Sequence, residues 1–375
     1  MAYLGEDIPK LGFGLMRLPR VDGKMDNPID IEQTKEMVDL FLDNGFSYFD
    51  TAYGYIGSED ATREALVERH PRESFELASK LPAWSAKSAE EARQMFYTSL
   101  RRTGAEYFDF YLLHGLDVHK SAAFDEYDIW NFVNERKEEG LIKHVGFSYH
   151  GHADLLNRIL KKHPETEFVQ LQINYADWDD PVVESRKCYE VAREHNKPIV
   201  IMEPLKGGKL TRLPEEAVQI FESHRPGAPL ASWGLRFASG LDGIITVLSG
   251  MSSIEQMREN IEITQNYDLE FTDEDHQAIS QVQDFISKID RIKCTSCRYC
   301  APVCPQKIPI PEIFDACNDY LVYNDMDSAK FQYGFATKDG VGARDCIKCG
   351  ACVAVCTQGL DVTAELARAA DLLGV

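Results

Sequence analysis

The sequence predicts an α/β fold, a (β/α)8 TIM barrel followed by a small C-terminal cysteine-rich domain, on three observations. Eight short apolar runs alternate with amphipathic segments over roughly the first 270 residues, the size and rhythm of eight strand–helix units. Gly-x-Gly-x-x-Gly follows none of these runs, so the doubly wound open sheet, the other fold with this rhythm, lacks its phosphate-binding signature. Eight of the ten cysteines form two tight combs that lie after residue 290, where the alternation has stopped.

Taken in order, the candidate strands cover 11–18, 46–52, 75–80, 107–114, 144–148, 168–174, 198–203 and 243–249. The segments between them carry apolar residues at three- and four-residue spacing. In 31–44, Ile31, Met37, Val38, Phe41 and Leu42 share one side, with Glu32, Lys35, Glu36 and Asp39 mostly opposite. After the eighth run come helical patterns over 253–267 and 272–289, the latter opened by Thr272, Asp273 and Glu274 as N-cap and acidic first turn. Composition then changes, which sets the domains at 1–288 for the barrel and 289–375 for the tail.

A composition of 44% hydrophobic and 27% charged residues is that of an ordinary globular chain with a sizeable core. The formal charge of -21 argues against a nucleic-acid surface and against an anionic membrane, since both call for clustered Lys and Arg. A solvated acidic surface is its simplest meaning. No apolar run is long enough to span a bilayer, and the opening MAYLGEDIPKLGFG carries acids where a signal peptide needs a basic and then apolar start. The expected location is therefore the cytoplasm, a reducing compartment in which clustered cysteines point to metal ligation.

Polar residues at the C-terminal ends of barrel strands meet across the mouth. The second run ends at Asp50 in FDTAYGY, with Tyr55 five residues on. The third ends at Lys80 in ELASK and the fourth at His114 in DFYLLHG. Singly, each has a plain structural meaning: a capping Asp, a ring-packing Tyr, a solvated Lys, a satisfied core His. Four titratable groups at successive strand ends point to one shared site.

In the tail, Cys294-x2-Cys297-x2-Cys300-x3-Cys304-Pro305 is repeated as Cys346-x2-Cys349-x2-Cys352-x3-Cys356. This is the spacing of bacterial two-cluster ferredoxins, in which three close thiolates wrap one cubane and the displaced fourth reaches the neighbouring one. Two 4Fe-4S clusters are expected, one on Cys294, Cys297, Cys300 and Cys356, the other on Cys346, Cys349, Cys352 and Cys304. Four-cysteine zinc sites, the alternative, use pairs set farther apart. Thr357 stands where the motif's proline is expected, and Cys188 and Cys317 read as buried thiols.

From LGFGLMRLP to the Arg-Glu-Asn triplet at 258–260, the chain resembles the aldo-keto reductase family, and with its ferredoxin-like tail it resembles that family's iron-sulfur-containing subfamily. The resemblance implies an NAD(P)-dependent oxidoreductase that interconverts a small carbonyl and an alcohol. Its tetrad carries over to Asp50, Tyr55, Lys80 and His114. Tyr55 would be the proton donor, with its pKa lowered by Lys80. Asp50 would hold Lys80 charged, and His114 would orient the carbonyl as a neutral donor. The cofactor, NAD(H) or NADP(H), would place its carboxamide near Ser148 and Gln170 and its diphosphate near 205–210, where Leu205, Gly207 and Gly208 let the backbone approach and Lys206 or Lys209 offers charge. The adenine end would meet Ser249, Gly250, Met251, Glu259 and Asn260. Three positions depart from the family pattern: Met202 replaces an aromatic ring against the nicotinamide, Tyr149 replaces a frequent Asn, and no Lys or Arg lies between Ser249 and Met257 to select a 2'-phosphate.

Hydride transfer moves two electrons together, whereas each cluster moves one. The expected function is therefore an oxidoreductase whose clusters relay electrons to or from the barrel site or an external electron-carrier protein. The alternatives are structural or redox-sensing clusters beside the same carbonyl chemistry, and a non-catalytic electron-carrier or regulatory module.

Overall fold

The structure is a computed structural model that describes residues 3–23, 27–181, 183–266, 271–294, 296, 298–356 and 358–375. These divide into two compact units: residues up to Gly207 with Ala231–Phe271, and Gly208–Leu230 with Thr272–Val375.

In the first unit eight parallel strands close into a barrel in sequence order: β1 Leu11–Gly14, β2 Tyr48–Asp50, β3 Glu76–Leu81, β4 Phe108–Leu116, β5 Ile142–Tyr149, β6 Phe168–Gln172, β7 Ile199–Met202 and β8 Ile244–Ser249. All eight expected strands are present, and the ends of several move. The run 11–18 is a strand only to Gly14, after which Leu15–Arg17 forms a 3-10 turn. Leu15 and Leu18 are buried in that turn, so the apolar run outlasts the strand. Likewise Ile173 and Asn174 are buried just past the end of β6.

Successive side chains on a strand face opposite ways, and here this alternation decides what reaches the interior. Tyr48, Ala78, Phe110, Leu112, Phe168, Val200 and Ile245 form one apolar cluster with Ile8. Phe49, one residue along from Tyr48, packs outward against Phe13, Phe41 and Phe75. Two residues beyond Tyr48, Ala78 and Leu112 stand Asp50, Lys80 and His114, so the core that fills the barrel also aims these polar groups inward. The helix Ile31–Asp43 buries Met37, Val38 and Phe41 as its spacing predicts, capped by the Asp30 side chain, which accepts from the Gln33 backbone N–H at 3.0 Å.

Gly146 on β5 is a packing requirement. A Cβ there would lie 2.5 Å from the Phe168 carbonyl oxygen and 2.6 Å from the Phe168 ring. Gly146→Ala is expected to destabilise the barrel by about 1–3 kcal/mol through overpacking, read as a lower thermal midpoint.

The second unit packs the helices Glu215–His224, Asp273–Lys288, Ile310–Tyr323, Met326–Ala336 and Val362–Leu373. Thr272 and Asp275 form the capping box that starts the second of these, and Arg225 pairs with Asp275 at 2.5 Å. Its core includes Ile292, Ile308, Ile310, Ile313, Phe314, Cys317, Leu366 and Leu373. Among the described residues no helix is long and apolar enough to cross a membrane.

Candidate functional site

Lys80 is the centre of the barrel-mouth arrangement. Its Nζ donates to Asp50 Oδ1 at 2.5 Å, to the Thr51 carbonyl at 2.9 Å and toward the Tyr55 hydroxyl at 3.4 Å. The His114 ring stands edge-on to the Tyr55 ring with centroids 5.7 Å apart. Local bonding explains why Tyr55, which belongs to no strand, is held there. Its N–H donates to the Ala52 carbonyl, and the Tyr53 N–H donates to the Lys80 carbonyl. The helix Ser58–Thr62 that follows is stapled to two strand ends, since Thr51 and Ser58 share a hydroxyl hydrogen bond at 2.7 Å and Ser58 Oγ donates to the Leu15 carbonyl at 3.0 Å. Behind Lys80, on the outer face of β3, Ser79 Oγ donates to the buried Glu59 carboxylate at 2.9 Å. Ser58 and Glu59 carried no signal in the sequence beyond an acidic first helical turn.

Burial sets the protonation states. It works against the Lys80 ammonium, but Asp50 and Tyr55 outweigh it and the pKa lies above 10.5, so Lys80 is charged through neutral pH. Burial raises Asp50 and Lys80 restrains that rise. His114 is pushed well below 6.5 by burial and then by the Lys80 charge, leaving a neutral imidazole, as expected of a neutral donor. The Tyr55 expectation needs correction. Lys80 does pull the phenol down, but burial pushes it up by more, helped by Asp50 and Glu203, and the net shift is above 10.

Of the residues expected to hold a dinucleotide, Gln170 and Ser148 are buried on β6 and β5. Ser148 Oγ accepts from the Gly115 N–H at 2.7 Å, and Gln170 Oε1 is buried without a hydrogen-bond partner among the described residues. An unsatisfied buried acceptor is costly, and a carboxamide N–H donor would fit it. Tyr149 turns away and donates to the His152 carbonyl at 2.7 Å. Met202 ends β7, half-buried.

In the following loop Glu203 and Lys206 adopt the left-handed backbone region with φ of 55° and 49°, ahead of Gly207 at 67°. Such strain persists only where surroundings enforce it. Here Asn174 Nδ2 donates to the Glu203 carbonyl at 3.2 Å and to Asp177 Oδ2 at 2.8 Å, while Lys206 Nζ pairs with Asp177 Oδ1 at 2.5 Å. Burial would raise Asp177, but Lys206 and the side-chain amides of Asn174 and Gln172 hold it below its ordinary range. Leu205 lies in this loop, whereas Gly208 and Lys209 belong to the second unit, where Lys209 pairs with Asp319 at 2.5 Å. Past β8, Asn260 Nδ2 donates to Ser249 Oγ at 2.7 Å with both residues buried. Met251 is buried, and Gly250 and Glu259 are exposed.

Arg17 was missed. Its guanidinium donates to the Gly207 carbonyl at 3.1 Å, its stem lies beside Gly250, and its own carbonyl accepts from Ser252 Oγ at 2.6 Å. The signal lay inside the run 11–18 and became visible only when the strand stopped at Gly14.

In the second unit the two combs exchange their last cysteines. One cavity is lined by Cys294, Cys300 and Cys356 with Ile310 and Phe314; another by Cys304, Cys346, Cys349 and Cys352 with Ile308 and Leu366. Cys297 lies outside the described residues. Among the described residues no group of three or more His, Cys, Asp or Glu is placed to hold a metal ion. Thiols spaced around an apolar cavity fit a cubane, whose ligands stand farther apart than those around one zinc. Arg298 and Lys348, each inside a Cys-x2-Cys turn, take φ of 63° and 55°. Cys188 and Cys317 are buried elsewhere, their thiols pushed up to about 12 and about 11 by burial.

Comparison with known proteins agrees with both halves. Residues 10–284 match the Aldo/keto reductase family and residues 293–360 match the 4Fe-4S dicluster domain. Similar proteins include the NAD(P)H-dependent 6'-deoxychalcone synthase of Glycine max, 27% identical over 67% of this chain and 82% of its own length. The 9,11-endoperoxide prostaglandin H2 reductase of Trypanosoma cruzi is 23% identical over 74% and 88%. Among solved structures, an aldo/keto reductase from Brucella melitensis superposes with a TM-score of 0.57 at 26% identity, covering 73% of this chain and 95% of that one. With its closed eight-stranded barrel and cysteine-lined tail, the chain belongs to the aldo/keto reductase family of oxidoreductases and carries a C-terminal 4Fe-4S dicluster domain.

Proposed function

We propose that this oxidoreductase interconverts a small carbonyl and an alcohol at the barrel mouth with NAD(H) or NADP(H), Tyr55 being the proton donor. The observation that carries it is the buried Lys80 ammonium, held 2.5 Å from Asp50 and within 3.4 Å of the Tyr55 hydroxyl, beside a neutral His114. When bound, the nicotinamide supplies or accepts the hydride. In the reducing direction Tyr55 hands its proton to the carbonyl oxygen as negative charge develops there. A raised phenol pKa does not oppose this, because the alkoxide that develops is a far stronger base than a phenolate. Lys80 then stabilises the phenolate, and Asp50 keeps Lys80 protonated. His114, uncharged, donates to the same oxygen without repelling Lys80. Gln170 with Ser148 would take the carboxamide, the Leu205–Gly207 backbone the diphosphate, and Ser249, Gly250, Met251, Glu259 and Asn260 the adenine end.

The tail, taken as residues 289–375, would hold two 4Fe-4S clusters with crossed cysteines, Cys297 completing the first set. These would pass single electrons to or from the barrel site or an external carrier. The cytoplasm suits both reduced thiols and the cofactor.

Anaerobic protein titrated with NADH and NADPH tests this reading while the visible iron–sulfur absorbance is followed. Carbonyl turnover that vanishes in Tyr55→Phe is the expected result, and bleaching on addition of either nucleotide assigns electron relay to the clusters. Turnover without bleaching leaves the clusters a structural or sensing role. Absence of turnover with either nucleotide would overturn the proposal.

A further inference from the structure

We propose that Arg17 is the cation that holds the cofactor's diphosphate, as a strap across the loops that follow β7 and β8. This rests on the nicotinamide reading above and adds to it a residue from a third loop.

The placement follows from barrel closure. Phe13 on β1 pairs with Ser249 on β8, so the turn after β1 emerges beside the β8 loop. A Cβ on Gly14 would lie 3.4 Å from the Ser249 carbonyl oxygen. The Arg17 stem runs past Gly250, where a Cβ would sit 3.6 Å from Arg17 Cδ. Its guanidinium then reaches the β7 loop, donating from Nη1 to the Gly207 carbonyl at 3.1 Å, and a Cβ on Gly207 would come within 3.1 Å of Nη2. The base of the strap is fixed by the Ser252 hydroxyl on the Arg17 carbonyl.

Charge then singles out Arg17. A diphosphate carries two negative charges, and this chain carries a formal -21. Of the two lysines at 205–210, Lys206 is turned to the buried Asp177 carboxylate and Lys209 is paired with Asp319. Arg17 has no carboxylate partner among the described residues and is exposed, so its fork of donors can turn from one neutral carbonyl to phosphate oxygens. The turn holds no second basic residue, and a lysine at 17 would supply the charge without the two-pronged geometry.

Ligand binding by the full-length protein tests the strap, read by nicotinamide fluorescence or calorimetry. Three probes are used: the better-bound of NADH and NADPH, ADP-ribose, which keeps the diphosphate without the nicotinamide, and reduced nicotinamide riboside, which has no phosphate. Arg17→Gln is expected to raise Kd for the dinucleotide and for ADP-ribose by roughly tenfold, the lower end for a charge-assisted hydrogen bond at an exposed site. Reduced nicotinamide riboside should be unaffected, Arg17→Lys should recover part of the loss, and the salt dependence of dinucleotide binding should flatten in Arg17→Gln. Unchanged dinucleotide affinity in Arg17→Gln would overturn the strap alone, with wild-type binding intact. An equal loss on the riboside would also overturn it, since the residue would then only shape the loops. Failure of the wild type to bind either dinucleotide would overturn the strap and the nicotinamide reading together.

Discussion

Lys80→Met is expected to lower kcat for carbonyl reduction by roughly 10³-fold, because it removes the positive charge that stabilises a Tyr55 phenolate inside a buried site. The effect should fall on kcat more than on KM, since the ammonium reaches the Tyr55 hydroxyl at 3.4 Å and not a distant part of the substrate. One complication is structural. Lys80 and Asp50 form a pair with side chains 1% and 4% exposed, and deleting one partner leaves the other buried and uncompensated. The Asp50→Asn/Lys80→Met double variant separates the effects, because it should regain stability without regaining activity. Near-normal turnover in Lys80→Met would remove Lys80 from the mechanism. The pH profile carries a further expectation. Tyr55 and Lys80 are both shifted upward, so the donor and its supporting charge are in place across the neutral range, and reduction should hold through neutral pH and decline only on the strongly alkaline side.

The second large effect concerns iron. Two cubanes require about eight iron and eight sulfide per chain. Cys304→Ala is expected to remove about half of each, and the cluster lost should be the one on Cys346, Cys349 and Cys352, because Cys304 lines their cavity and not that of its own comb. Electron paramagnetic resonance of the reduced protein reads the assignment. Cys304→Ala and Cys349→Ala should lose the same signal, whereas Cys294→Ala and Cys356→Ala should lose the other. Zinc in place of iron, or loss of the same signal from Cys304→Ala and Cys294→Ala, would refute the crossed arrangement.

Much of this is legible in the sequence, for identifiable reasons. Parallel strands buried on both faces leave continuous apolar runs, and Asp50, Lys80 and His114 stand out because each is a titratable group ending such a run. The same property hid the end of β1, since Leu15 and Leu18 are as apolar in a turn as in a strand, and with it hid Arg17. Lys206 and Lys209 were equivalent as letters. Only the partners, Asp177 for one and Asp319 in the other unit for the second, separate them. The net shift of Tyr55 was similarly out of reach, because it is a contest between burial and a neighbouring charge that sequence does not measure.

The exchange of final cysteines has a consequence in polymer terms. Cys304 and Cys346 bound the segment 305–345, which contains the helices Ile310–Tyr323 and Met326–Ala336, and both cysteines line one cavity. A cluster seated there would close that segment into a ring, and a second cluster joining Cys294 and Cys300 to Cys356 would close a larger ring around the first. Each closure removes freedom from the unfolded chain and none from the folded one, so loading with iron would act on the tail as two nested cross-links do.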